Sequence, residues 1–112
     1  KKSLKEVYFD QSKVTDALVD RYYAMSLREG NRKAFVDRAL QMKEDNGAGL
    51  EKISVPTLIM WGKHDNWIPV EQAANFRKKL FLGQVVIYDN AGHVPHEEIP
   101  EQSVADAMKF LK

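Results

Sequence analysis

Two residues that could share a proton stand at matching positions behind two apolar segments. Asp65 lies five residues beyond Met60, and His93 lies five residues beyond Tyr88. If the two segments are neighbouring strands, their axes lie about 4.8 Å apart, and excursions of equal length can bring the carboxylate to the imidazole. Such a pair joins a general base to the acid that orients it and stabilises its protonated form. The spacing therefore predicts a pair able to activate a nucleophile.

The elements that must position this pair are two strands joined by a helix. Residues 56–61 and 85–88 are apolar runs without alternation, and the first is typical of a strand buried on both faces. A helix between them is predicted from Pro69, closing at Gly83, with an apolar face formed by Ala73, Phe76 and Leu80. Strands connected in this way should be parallel, with a right-handed crossover. The loops behind them then leave the same sheet edge, where α/β proteins place their ligands.

Two further helical regions flank this unit. A last helix is predicted from Pro100, with Val104, Met108 and Leu111 on one face. In the first half, one helix is predicted between a cap at Ser12 and an end at Gly30, with Val14, Leu18, Tyr22 and Met25 as its stripe. A second helix follows from Asn31, with Ala34, Phe35, Ala39, Leu40 and Met42 as apolar positions, before a break at residues 46–49. This hairpin should cover apolar surface, since neither helix can bury its stripe alone.

Composition divides the chain near residue 50 and excludes several classes of partner. All four prolines, both tryptophans and all three histidines of the 112 residues lie in 53–112, which separates a helical segment 1–52 from an α/β segment 53–112. A net charge of +1 gives no support for nucleic-acid or membrane binding. The absence of cysteine removes disulfides and thiol chemistry, and no apolar run approaches the roughly 18 residues of a membrane span. We therefore expect a soluble, cytoplasmic protein.

The motifs around the pair resemble one enzyme family. Residues 55–65, VPTLIMWGKHD, then Ile68-Pro69, then residues 91–98, AGHVPHEE, are similar to the carboxyl-terminal part of α/β-hydrolase-fold enzymes. The resemblance implies that Asp65 is the triad acid and His93 the triad histidine, and that the helices of segment 1–52 belong to the cap. It implies no cofactor and no metal.

A nucleophile of the kind this family uses is missing from the sequence. The resemblance leads one to expect a Gly-x-Ser-x-Gly elbow upstream of the cap, and none of the five serines lies between two glycines. A base without a nucleophile has nothing to activate. The expectation is therefore a carboxyl-terminal fragment of a longer hydrolase, inactive alone, since the full fold has about eight strands and needs more than roughly 200 residues.

The other candidate residues are expected to be structural. We expect His64 to be an exposed turn residue, and a metal site built from Asp65, His93 and His96 is disfavoured because Pro95 opposes a regular helix there. Trp61 is assigned to the core. Packing under the next helix is favoured over a pocket wall for Trp67 and Ile68. Packing is also favoured for Tyr22, Tyr23 and Phe35, although these three could line an entrance. Glu97 and Glu98 are interpreted as negative charge near a helix amino terminus.

Three functions remain open from the sequence. The leading hypothesis is a serine hydrolase acting on an ester or a related carbonyl compound. Within the same fold, dehalogenases, epoxide hydrolases and carbon-carbon hydrolases are alternatives. A non-catalytic module is the third, because two strands without their neighbours leave a free sheet edge that predicts self-association.

Overall fold

The computed structural model describes residues 2–40 and 49–112. In these ranges the helices and strands follow one another as α1 Lys2–Val7, α2 Asp16–Ser26, α3 Asn31–Leu40, β1 Thr57–Gly62, α4 Glu71–Lys79, β2 Gly83–Tyr88, α5 Pro95–Glu98 and α6 Pro100–Phe110. Short 3-10 turns lie at Gln11–Lys13 and Leu50–Lys52. The predicted apolar position Met42 and residues 46–48 of the predicted break lie outside the described residues. No helix in the described ranges is both long and apolar enough to cross a membrane.

The strand, helix, strand unit forms as the sequence predicts. Strands β1 and β2 are parallel, with Thr57 opposite Gly83 and Gly62 opposite Tyr88. Helix α4 connects them and buries Ala73. The ladder continues past the strand ends, because the Lys63 N–H donates to the Tyr88 carbonyl over 2.8 Å. The loops behind both strands therefore begin at the same edge of the sheet.

The two loops touch backbone to backbone, and this contact requires glycine at the end of β1. A Cβ atom added to Gly62 would lie 1.9 Å from the Gly92 carbonyl oxygen and 2.5 Å from that of Ala91. The His64 N–H also donates to the Ala91 carbonyl, over 3.0 Å. The loop that carries Asp65 and the loop that carries His93 are thus held together by main-chain atoms.

Substitution of Gly62 by alanine should therefore destabilise the protein strongly. The added methyl group has no space without separating the two loops, and we expect the free energy of unfolding to fall by about 3 kcal/mol or more. Gly83→Ala is the matched control at the start of β2, since its Cβ would meet the Leu80 side chain and carbonyl at 3.1 Å. That variant should lose only about 1 kcal/mol. Urea unfolding of both variants measures the difference, and equal losses would contradict the close contact of the loops.

Helix α6 turns Ser103, Asp106, Ala107 and Phe110 inward, contrary to the sequence prediction. The Tyr88 hydroxyl is buried and donates to Asp106 Oδ2 over 3.0 Å, and Ser103 is buried beside it. Burial, together with the bond to Asp106, raises the pKa of Tyr88 to about 12. The predicted apolar positions of this helix are exposed: Val104, Met108 and Leu111. The bond between Tyr88 and Asp106 therefore lies on the inward face of the helix.

The amino-terminal segment begins with a short helix, α1, that the sequence analysis did not predict. Val7, Tyr8 and Val14 form a buried cluster, packed by Leu4, Leu18, Val19 and Val94. Helix α2 starts later than expected, because Thr15 is its cap and accepts from the Leu18 N–H over 3.2 Å. The Ser12 hydroxyl instead donates to Asp10 Oδ1. The helix also ends at Ser26, ahead of the predicted stop at Gly30, which adopts a left-handed φ of 83° in the turn before α3.

Two predictions of burial are wrong for these 112 residues. Helix α3 buries no side chain, and Phe35 is 78% exposed. Strand β1 is only partly buried along most of its length, where burial on both faces was expected. The faces of a parallel sheet are covered by helices packed on them, and the described helices cover β1 only in part. Self-association across this sheet remains a prediction.

Candidate active site

Asp65 and His93 meet at the edge of the sheet. The His93 Nδ1 atom lies 2.8 Å from Asp65 Oδ2. Asp65 follows β1 and His93 follows β2, so the parallel register and the Gly62 contact bring the two loops to the same place. The contact joins residues that are 28 positions apart in the chain.

The Asp65 carboxylate is buried and fully engaged. Its side chain is 4% exposed, and Oδ1 accepts from the N–H groups of Trp67 and Ile68, each over 2.9 Å. Burial alone would raise the pKa of Asp65, but the hydrogen bonds from Ile68, His93 and Trp67 outweigh it and lower the pKa below its ordinary value of 3.8. Asp65 is therefore ionised at neutral pH. It is both a turn aspartate and a partner of the histidine, two roles that the sequence could not separate.

The charge on Asp65 decides the tautomer of His93. An ionised carboxylate can only accept hydrogen bonds, so the proton of the neutral imidazole lies on Nδ1. The lone pair is then on Nε2. The ring is 27% exposed, and its backbone N–H donates to the Val7 carbonyl over 2.8 Å. The neutral form of His93 thus presents a base on Nε2, with a fixed backbone and an accessible side chain.

An apolar cleft of about 540 Å³ opens beside His93. We call it the His93 cleft; its walls are Ser3, Leu4, Val7, Val19, Asp20, Tyr22, Tyr23, Ser26, Trp67, His93 and Val94. Trp67 is 53% exposed, with its ring 5.2 Å from the imidazole. Its assignment to packing under the next helix is therefore wrong, because it forms a cleft wall. Tyr22 and Tyr23 line the cleft and Phe35 does not. Ile68 lines a smaller recess of about 170 Å³ beside the acid.

The remaining histidines do not join the pair, whereas Trp61 lines the smaller recess together with Asp65 and His93. His64 is exposed in its turn and stacks on Phe9, with ring centroids 3.9 Å apart. His96 is exposed and lies 3.9 Å from the Glu97 carboxylate. Trp61 packs on Phe76. Within residues 2–40 and 49–112, no three histidine, aspartate or glutamate side chains are close enough together to hold a metal ion.

Glu97 and Glu98 lie in the first turn of a helix, as the sequence predicts, and each carboxylate also accepts specific hydrogen bonds. They lie in α5, which begins at Pro95 because the first position of a helix needs no N–H. No regular helix therefore spans His93 and His96, as Pro95 leads one to expect. Glu97 accepts from the hydroxyls of Tyr8, over 2.5 Å, and Tyr22, over 2.8 Å.

These glutamates tie the His93 loop to segment 1–52. Burial raises the pKa of Tyr22, as does its bond to Glu97, while the two hydroxyls lower the pKa of Glu97 against the effect of burial. Glu98 is buried among backbone N–H groups. One signal in the sequence could have indicated this contact of Glu98. Side chains on a helix point towards its amino end, and from α5 that direction leads to residues 91–93.

A comparison with known families identifies the fold. The family described as the alpha/beta hydrolase fold matches residues 5–100. The chain belongs to the α/β-hydrolase family. The resemblance of its motifs to the carboxyl-terminal part of these hydrolases is confirmed, as is the α/β fold class.

Individual hydrolases match to different extents. The chain is 31% identical over 107 residues to the 2-hydroxy-6-oxo-6-(2'-aminophenyl)hexa-2,4-dienoic acid hydrolase of Metapseudomonas resinovorans, covering 91% of this chain and 37% of that protein. It is 36% identical over 62 residues to monoacylglycerol lipase ABHD6 of Rattus norvegicus, covering 55% of this chain and 18% of the lipase. The crystal structure of CarC, a serine hydrolase involved in carbazole degradation, superposes with a TM-score of 0.86 and 29% identity, over 98% of this chain and 45% of CarC. The chain spans less than half the length of each of these hydrolases.

Proposed function

We propose that this chain supplies the acid and the base of a catalytic triad to a hydrolase that cleaves a small carbonyl compound. Asp65 is the orienting acid and His93 the base, and the nucleophilic hydroxyl lies outside the 112 residues. The observation that carries the proposal is the 2.8 Å contact between His93 Nδ1 and a buried, ionised carboxylate at the mouth of an apolar cleft. Below, the complete enzyme means residues 1–112 together with the segment that bears the nucleophile.

The geometry supports a proton relay through Nε2. His93 Nε2 takes the proton of the nucleophilic hydroxyl. At the same time the hydroxyl oxygen bonds to the substrate carbonyl carbon, which gives a tetrahedral intermediate. The imidazolium that forms is stabilised by Asp65, whose charge lies against Nδ1–H. When the carbon-to-leaving-group bond breaks, Nε2–H returns the proton to the departing group. A water molecule activated in the same way then releases the acyl group and restores the hydroxyl.

The relatives favour cleavage of a carbon-carbon bond over cleavage of an ester. The leading hypothesis from the sequence was ester hydrolysis, so carbon-carbon hydrolysis now takes its place. The hydrolase of Metapseudomonas resinovorans acts, by its name, on a 2-hydroxy-6-oxo dienoic acid, and its match includes both α2 and His93. The lipase match, at 62 residues, is too short to include both. Helix α2 provides one wall of the His93 cleft, so the likeness to the dienoate hydrolase extends to the cleft that would hold the substrate.

A substrate comparison with the complete enzyme tests the proposal. We expect kcat/KM for a 2-hydroxy-6-oxohexa-2,4-dienoate to exceed that for a short-chain nitrophenyl ester by about 100-fold. A higher value for the ester would leave the triad assignment in place but overturn the substrate class. If neither compound is hydrolysed, the result would favour a non-catalytic module. Hydrolysis by the 112 residues alone would show that their own side chains include the nucleophile.

A further inference from the structure

Glu98 is a buried carboxylate that the proposed mechanism does not use. Its residue is 1% exposed, and both carboxylate oxygens accept from main-chain donors. Oε1 accepts from the Gly92 N–H over 2.7 Å, and Oε2 accepts from the Phe9 N–H over 2.8 Å and the Asp10 N–H over 3.4 Å. The Lys13 ammonium donates to the backbone carbonyl of the same residue. A buried carboxylate costs free energy unless its oxygens accept hydrogen bonds. The positions of the donors around Glu98 are therefore closely specified.

These bonds fix the main chain from which the His93 side chain projects. The Gly92 N–H belongs to the residue before His93, and the next N–H, that of His93, donates to the Val7 carbonyl over 2.8 Å. Space is also restricted, because a Cβ on Gly92 would lie 2.6 Å from the Val7 oxygen and 3.1 Å from Glu98 Oε1. Two consecutive peptide groups are therefore held against residues 7–9 on one side and Glu98 on the other.

We propose that Glu98 is a positioning residue for His93. By fixing Gly92 and Phe9 together, it sets the backbone so that Nδ1 meets Asp65 while His93 lines the cleft. Its effect on rate rests on the proposed function, whereas its effect on the His93 to Asp65 contact does not. A displacement of about 1 Å at a catalytic group can cost on the order of 10²-fold in rate.

The neighbouring Glu97 offers a matched comparison, because the two glutamates face different donors. Glu97 accepts from two tyrosine hydroxyls, and a hydroxyl can rotate to accept as well as donate. A glutamine at position 97 can therefore keep both partners. Glu98 faces backbone N–H groups, which can only donate. A glutamine at position 98 must point its NH₂ group at one of these donors and lose that bond, although its shape is unchanged.

Glu98→Gln and Glu97→Gln should therefore behave differently in the complete enzyme. For Glu98→Gln we expect kcat to fall on the order of 10²-fold with KM changed by less than about twofold, since the base and not the cleft wall is displaced. We also expect the downfield proton NMR resonance of His93 Nδ1–H to shift or broaden. Glu97→Gln should keep kcat and this resonance close to those of the unmodified protein.

The resonance separates failure of this proposal from failure of the proposed function. An unaltered resonance and kcat in a folded Glu98→Gln variant would overturn the positioning role. A shifted resonance in a protein that hydrolyses nothing would support it and count against the proposed function alone. If Glu98→Gln does not fold, hydrogen exchange in the unmodified protein decides. The Gly92 amide proton and the His93 Nδ1 proton should then exchange with solvent through one common opening of the protein. Exchange of the Nδ1 proton while the Gly92 amide stays protected would overturn the proposal.

Discussion

The complete enzyme is expected to lose at least about 10⁴-fold of its kcat when His93 is replaced by alanine. Without Nε2 the nucleophilic hydroxyl has no base, and the leaving group has no acid. The fold should be retained, because the bond to the Val7 carbonyl uses the backbone N–H, which alanine keeps. Steady-state kinetics measures the loss, and a thermal unfolding curve near that of the unmodified protein excludes a folding defect.

His96→Ala is the control for this variant. His96 lies three residues further along the chain and is exposed, so its loss should leave kcat within about twofold, as expected of surface substitutions. Similar kcat values for both variants would show that His93 is not the base, whatever the identity of the nucleophile.

Asp65→Asn is expected to lower kcat by about 10⁴-fold through the histidine tautomer. The asparagine oxygen will keep the two N–H donors of Trp67 and Ile68, which turns its NH₂ group towards His93. Nδ1 must then accept, and the imidazole proton moves to Nε2, where the base needs its lone pair. The side chain keeps its shape and most of its bonds, so the folded structure should persist.

Proton NMR checks the tautomer directly, since the downfield resonance of His93 Nδ1–H should disappear in this variant. Asp89→Asn is the matched control on the next loop: Asp89 is exposed and pairs with Lys63 over 2.7 Å, so kcat should stay unchanged. A folded Asp65→Asn variant with kcat within tenfold of the unmodified protein would contradict the assignment of the acid.

The parts of the fold that the sequence predicts are those set by local pattern. The sequence shows two apolar runs with a helix between them, and Asp65 and His93 follow these runs at equal sequence spacing. This pattern was enough to place both side chains at one sheet edge, because parallel strands end on the same side. The helices from Asn31 and Pro100 also begin where the pattern predicts. Because the two strands pair side by side, equal spacing after each strand brings Asp65 and His93 close together.

The remainder depends on partners that lie outside the element itself. Ser12 and Thr15 are both residue types that cap helices, and in the structure the Ser12 hydroxyl donates to Asp10 while Thr15 caps α2. The apolar stripe of α6 did not predict its buried face, on which the Tyr88 hydroxyl meets Asp106. A pattern read along one helix contains no information about a hydrogen bond that comes from another element.

Glu98 shows the same limit within the candidate site. Two adjacent acids after a histidine are by type surface residues, and a buried carboxylate is rare unless it is fully bonded. The donors of Glu98 come from Phe9, Asp10 and Gly92, and the first two lie almost 90 positions away. Trp67 was misassigned for a related reason, since α1 and α2 form the opposite side of its cleft.

The hydrogen bond between His93 and Val7 has a consequence for recombination of these enzymes. Composition places a boundary near residue 52, and exchange of the helical segment would be a natural way to alter the substrate cleft. However, the peptide group that holds His93 comes from that segment, and so do two of the three main-chain donors that hold Glu98. A chimera cut at this boundary replaces the support of the base along with the cleft wall. Crossovers that retain residues 7–10 with the carboxyl-terminal part would change the cleft and leave the base on its original anchor.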